Sequence, residues 1–146
     1  MQGKVSDAMT ERPRVLDPST SVVEAARVME VEDVGSLPIV GPDGRLVGIV
    51  TDRDITLRVT AKGLDPEQTT VRQIASKELV AVRADQDLDE ALAAMAGAQV
   101  RRLPVVDDKH QLVGVIAQAD LAFAGNKKQT GELVEEISKP PSGPRS

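Results

Sequence analysis

The sequence predicts an α+β fold built from two β-α-β-β-α repeats packed with approximate two-fold symmetry. Three observations predict it. Sliding the chain against itself by 66 residues (71 − 5 = 66) aligns Val5 with Val71 and runs without a gap through Leu57 and Phe123. In each copy an N-terminal capping signal precedes apolar residues at helical spacing. Two short β-branched runs joined by a tight turn then follow.

Identities between the copies fall at Glu24-Ala25 and Glu90-Ala91, at Met29 and Met95, at Leu37-Pro38 and Leu103-Pro104, at the two "LVG" triplets, and at Asp54 and Asp120. Each copy opens with a strand. The first helix starts at Ser21 with Glu24 three residues on, and its counterpart at Asp87 with Glu90, both matching the reciprocal capping pattern. Val22, Ala25, Ala26 and Met29 mark one buried face, as do Leu88, Ala91, Leu92 and Met95. "SLPIV" and "RLVGIV" around "GPDG" predict an antiparallel hairpin, and "DDKH" serves the same turn in the second copy. A second helix begins at Thr51 and near Ala117. "KGLDPE" signals a helix end and a turn. One unit of about 55 residues buries too little apolar surface to stand comfortably alone, so the two should pack together. The predicted organisation is therefore residues 1–60 as repeat one, 61–70 as linker, 71–125 as repeat two, and 126–146 as a short amphipathic helix ("TGELVEEIS") with a disordered tail ("KPPSGPRS").

Composition narrows the function. Apolar residues are 40% of the chain, enough for a core, but aromatics are 1%, with Phe123 alone, so packing falls to aliphatic side chains and binding by aromatic stacking is excluded. A net charge of −5 with scattered basic residues lacks the footprint of a nucleic-acid binder. Cysteine is absent and His110 is the single histidine, so neither a disulfide framework nor a Cys- or His-rich metal centre is expected. Apolar runs are too short to span a membrane, the N-terminus lacks a signal peptide's apolar region, and the tail helix is acidic where a membrane surface would want basic. The chain is expected to be cytoplasmic. No nucleophile paired with a base, no paired carboxylates and no P-loop are found, so it is not expected to be an enzyme.

The chemistry that remains lies where strand hands over to second helix. Free N–H groups at a helix start attract anions, a threonine hydroxyl adds a donor for phosphate, and an aspartate one turn on accepts from both ribose hydroxyls. Thr51 and Asp54 have that spacing. They also fit a plain capping arrangement worth about 1 kcal/mol. In the second copy Ala117 has no hydroxyl, so Asp120 is expected to lack a capping-box partner, and its retention favours a sugar-binding role. Arg101 and Arg102 replace Gly35 and Ser36 just before a strand. Two-fold packing would bring them towards Thr51 as phosphate donors; the alternative is a pair of solvated loop arginines.

With "VSDAMTERPRVLDPSTSVVEAARVM", "VGSLPIVGPDGRLVGIVTDRDI" and "VRRLPVVDDKHQLVGVIAQADL" assembled in this order, the chain resembles the cystathionine-β-synthase (CBS) domain family, as a stand-alone tandem pair from Val5 to about Ala124. The resemblance implies a CBS-pair module with inter-repeat clefts, commonly a homodimer, that binds AMP, ADP, ATP or S-adenosylmethionine. It places Thr51 and Asp54 in the family's Ser/Thr-x-x-Asp motif and Arg101 and Arg102 at the basic pair before Leu-Pro. One competent anionic-nucleotide site is expected, with a weakened one around Asp120, and Leu16 and Ile39 as the apolar wall. No cofactor is required beyond such a ligand. An unidentified effector protein would receive the signal, in a regulatory or stress-response role. The alternative is a ligand-independent dimeric scaffold.

Overall fold

A computed structural model describes residues 2–76 and 78–128; the expected tail helix and disordered tail lie outside the described residues. The chain divides into two compact units, Arg14–Leu79 and a second made of residues up to Pro13 together with those from Val80 onward.

The Arg14–Leu79 unit contains α2 (Val22–Glu32), the hairpin β2 (Ser36–Val40) and β3 (Leu46–Thr51), α3 (Asp52–Ile55) running into a π-helical turn (Thr56–Thr60), and α4 (Val71–Ile74). The other unit contains α1 (Val5–Ala8), β1 (Thr10–Glu11), β4 (Val82–Arg83), α5 (Leu88–Ala98), β5 (Arg102–Val106), β6 (Leu112–Ala117) and α6 (Gln118–Lys128). Its four strands run in the order β1-β6-β5-β4, with β4 parallel to β5 and the other pairs antiparallel. The opening strand of repeat one is reduced to a parallel bridge between Leu16 and Ile39, matching the Val82–Val105 pair of repeat two.

Repeat periodicity dictates the packing. Leu16, Val22, Ala25, Met29, Leu37, Ile39 and Val50 form one core, and their counterparts 66 residues on form the other. Val71 nevertheless packs in the first core, and Val5 in the second. Each opening helix thus serves the core of the other sequence repeat. The motif boundaries at 60 and 71 are therefore not the boundaries of the compact units.

Local signals act as their chemistry requires. Ser21 Oγ accepts from Glu24 N–H at 3.2 Å, and the Glu90 carboxylate accepts from Asp87 N–H at 3.3 Å. Both first helices end in a left-handed residue, Asp33 and Gln99, where glycine is usual. The hairpin turns share one geometry: Gly41 N–H donates to Arg45 O, and Asp107 N–H to Gln111 O. Gly44 takes the left-handed position at φ 85°, which His110 occupies at φ 64°. There Asp107 Oδ1 supports the turn by accepting from Lys109 and Gln111 N–H, both at 2.9 Å.

Candidate functional site

The β3–α3 junction assembles as the sequence spacing requires. Thr51 ends β3 in extended conformation and caps α3. Its hydroxyl accepts from Asp54 N–H at 3.0 Å, while Asp54 Oδ2 accepts from Thr51 N–H at 2.9 Å, a complete reciprocal box. The amides expected to be free for an anion are engaged. Asp52 N–H donates to Gly35 O at 2.9 Å and Arg53 N–H to Asp52 Oδ1 at 2.8 Å, so a phosphate would have to displace the Asp52 side chain.

The β6–α6 junction repeats the frame. Gln118 N–H donates to Arg101 O at 2.8 Å, the counterpart of the Asp52–Gly35 bond. Contrary to the expectation from Ala117, Asp120 keeps a capping partner: its Oδ2 accepts from Ala117 N–H at 2.8 Å. The backbone amide supplies this arm of the box, so loss of the hydroxyl removes only the other.

The cations beside the two carboxylates differ. Arg58, one turn beyond Asp54, places Nε 3.8 Å from Asp54 Oδ1 and donates Nη1 to Ile74 O at 3.3 Å. Ala124 holds the corresponding position in repeat two. There the cation is Arg102, which opens β5 opposite Ala117 and lies within Coulombic range of Asp120. Burial pushes the Asp120 carboxyl above its ordinary range, against the Ala117 hydrogen bond and the Arg102 charge, which both pull it down. Burial likewise lowers the Arg102 guanidinium, with Asp120 opposing. The acid-to-base spacing of Asp54 and Arg58 was a visible helical pair signal. The approach of Arg102 to Asp120 required the β5–β6 register, which spacing alone does not give.

Thr51, Asp54, Leu16 and Ile39 belong to the Arg14–Leu79 unit, and Arg101, Arg102 and Asp120 to the other. Leu16 is a buried core residue. Ile39, also buried, reaches a cavity of about 240 Å3 lined by Val47, Arg72, Ala75, Ser76 and Leu79. Among the described residues no three His, Cys, Asp or Glu side chains converge as a metal site would need, and no helix is long and apolar enough to cross a membrane.

Comparison with known proteins agrees with the architecture. The CBS domain family model matches residues 5–60 and 71–127. CBS domain-containing protein YhcV of Bacillus subtilis is 44% identical over 135 residues, covering 92% of this chain and 94% of that protein. Hypoxic response protein 1 of Mycobacterium tuberculosis is 42% identical over 120 residues, covering 82% and 83%. A crystal structure of Hypoxic Response Protein I with two coordinated zinc ions superposes with a TM-score of 0.77 at 37% identity, covering 83% of this chain and 98% of that one. CBSX2 in complex with AMP superposes with a TM-score of 0.73 at 28% identity, covering 85% and 96%.

Proposed function

This chain belongs to the CBS domain family, and from that membership we propose that it is a regulatory module that binds an adenosine-containing ligand and signals to a separate partner protein. The observation that carries the reading is the retained pose of the two aspartates. Asp54 and Asp120 are each half-buried and fixed by the N–H three residues earlier, at 2.9 and 2.8 Å, although only one copy keeps the cap hydroxyl. In each, Oδ2 is committed to the backbone, and Oδ1, which in Asp54 also faces Arg58 Nε at 3.8 Å, is the oxygen that would accept from a ribose hydroxyl. Asp54 serves the main site, with the Thr51 hydroxyl towards phosphate and Leu16 and Ile39 on the apolar side. Asp120, lacking a neighbouring hydroxyl, serves a weaker one. AMP bound to the similar CBSX2 supports the ligand class. The module works as a homodimer in the cytoplasm, without catalysis.

Isothermal titration with AMP, ADP, ATP and S-adenosylmethionine tests it: saturable heat from at least one, with affinity reduced at least tenfold by Asp54→Ala, is the expected outcome. No heat at millimolar ligand, or heat indifferent to Asp54→Ala, contradicts it.

A second reading, a ligand-independent dimeric scaffold, is favoured by one observation. The first amides of α3 are satisfied within the chain, and both aspartates already hold structural hydrogen bonds. It expects Asp54→Ala to lower stability while dimerisation and partner capture persist.

A further inference from the structure

The two repeats differ at one position in a way that opens space. In repeat one the Arg58 guanidinium reaches both Asp54 Oδ1 and the carbonyl of Ile74 in α4. Shifted by 66 residues, those partners are Asp120 and Ala8, and Arg58 becomes Ala124. The structure has a cavity of about 390 Å3 there, lined by Asp7, Ala8, Leu88, Asp120, Phe123 and Ala124 among others, all in one compact unit. Among the described residues no side chain fills in repeat two the place that the Arg58 guanidinium fills in repeat one, while the acceptor positions recur as Asp120 and Ala8.

We propose that this cavity is a receptor for a guanidinium cation, supplied by a small molecule or by an arginine side chain of a partner. Asp120 supplies the carboxylate that Asp54 gives to Arg58, and Asp7, absent from the corresponding place in repeat one where Gln73 stands, adds a second. Phe123, 62% exposed, lines the same cavity. Its counterpart is Leu57, so the sole aromatic residue of the chain stands in the repeat that lacks the internal arginine. Burial disfavours the charged form of Asp120 even with Arg102 in range, so a further cation relieves an existing cost. Asp120 is also the carboxylate given above to the weaker adenosine site, so a guanidinium and a nucleotide would compete for it, whereas Asp54 belongs to the other compact unit.

The test uses the full chain followed by calorimetric melting, since there is no Trp or Tyr to report unfolding. Agmatine and a short arginine-bearing peptide are titrated separately. A saturable rise in Tm with agmatine assigns a small-molecule source, and a rise confined to or tighter with the peptide assigns a protein source. Asp120→Asn should weaken either. Ala124→Arg should melt no lower than the parent chain and lose the response, because it restores the internal guanidinium, whereas Ala124→Glu, of opposite charge, should melt lower. No response to either probe, or equal melting of Ala124→Arg and Ala124→Glu, overturns the proposal. The melts are run without nucleotide, so AMP binding at either aspartate does not enter these outcomes.

Discussion

Gly48 and Gly114 are repeat counterparts on β3 and β6, yet replacing each by alanine should have opposite effects. A Cβ on Gly114 would lie 2.7 Å from Met9 Sδ and 2.8 Å from the Thr10 carbonyl oxygen. The methionine can swing aside, but the carbonyl is backbone, tied into the ladder in which Thr10 faces Val115 and Glu11 faces Gly114. Accommodating the methyl group means prising β1 from β6, at an overpacking cost of about 1–3 kcal/mol. A Cβ on Gly48 meets Ala75 Cβ at 3.4 Å and Ile39 Cδ1 at 3.7 Å, ordinary contacts. There the loss of unfolded-state freedom should stabilise by about 0.5–1 kcal/mol. For a chain of this size 1 kcal/mol moves Tm by roughly 2–4 °C. Calorimetric melting should show Gly114→Ala about 2–12 °C below the parent, and Gly48→Ala level with it or a few degrees above. Equal losses in the two variants would mean that β1 does not press on Gly114.

Thr51→Ala should cost about 1 kcal/mol in chemical denaturation followed by circular dichroism, since Asp54 N–H loses its acceptor while the reciprocal arm survives as it does at Ala117. A loss several times larger would mean that the hydroxyl supports more than the cap. His110→Gly should stabilise by about 0.5 kcal/mol, because relief of the left-handed strain of a β-carbon exceeds the added unfolded-state entropy; a lower melting temperature contradicts this. Asp120→Asn keeps an oxygen for Ala117 N–H but removes a titration. Because the folded-state pKa of Asp120 is raised above the ordinary 3.8, its contribution to stability is present at lower pH and is lost as pH rises through the folded value. The parent should therefore lose stability relative to Asp120→Asn on raising the pH from about 4 towards neutrality. A difference constant across that range would contradict the burial argument.

Much of this was legible in the sequence because it is written twice. The core positions recur at the 66-residue offset and the hairpin ends carry turn residues, so one copy checked the other. What escaped depends on tertiary choices. The exchange of Val5 and Val71 between cores leaves no local trace, since either helix carries the same apolar face. The expectation at Ala117 fails because the bond to Asp120 comes not from a side chain but from a backbone amide, which every residue but proline has. The same holds at Asp52 and Arg53, whose amides find partners in Gly35 O and the Asp52 side chain. The cavity at Ala124 was visible only by comparing it with what Arg58 touches.

The most direct measurement is titration of the purified chain with AMP, alongside its Asp54→Ala variant, with folding of both verified by circular dichroism. Saturable binding to the parent and a loss of at least tenfold in the variant, equivalent to about 1.4 kcal/mol, would establish that the Asp54 carboxylate holds the ribose. Equal affinity in the two folded proteins would show that Asp54 caps a helix and does nothing more.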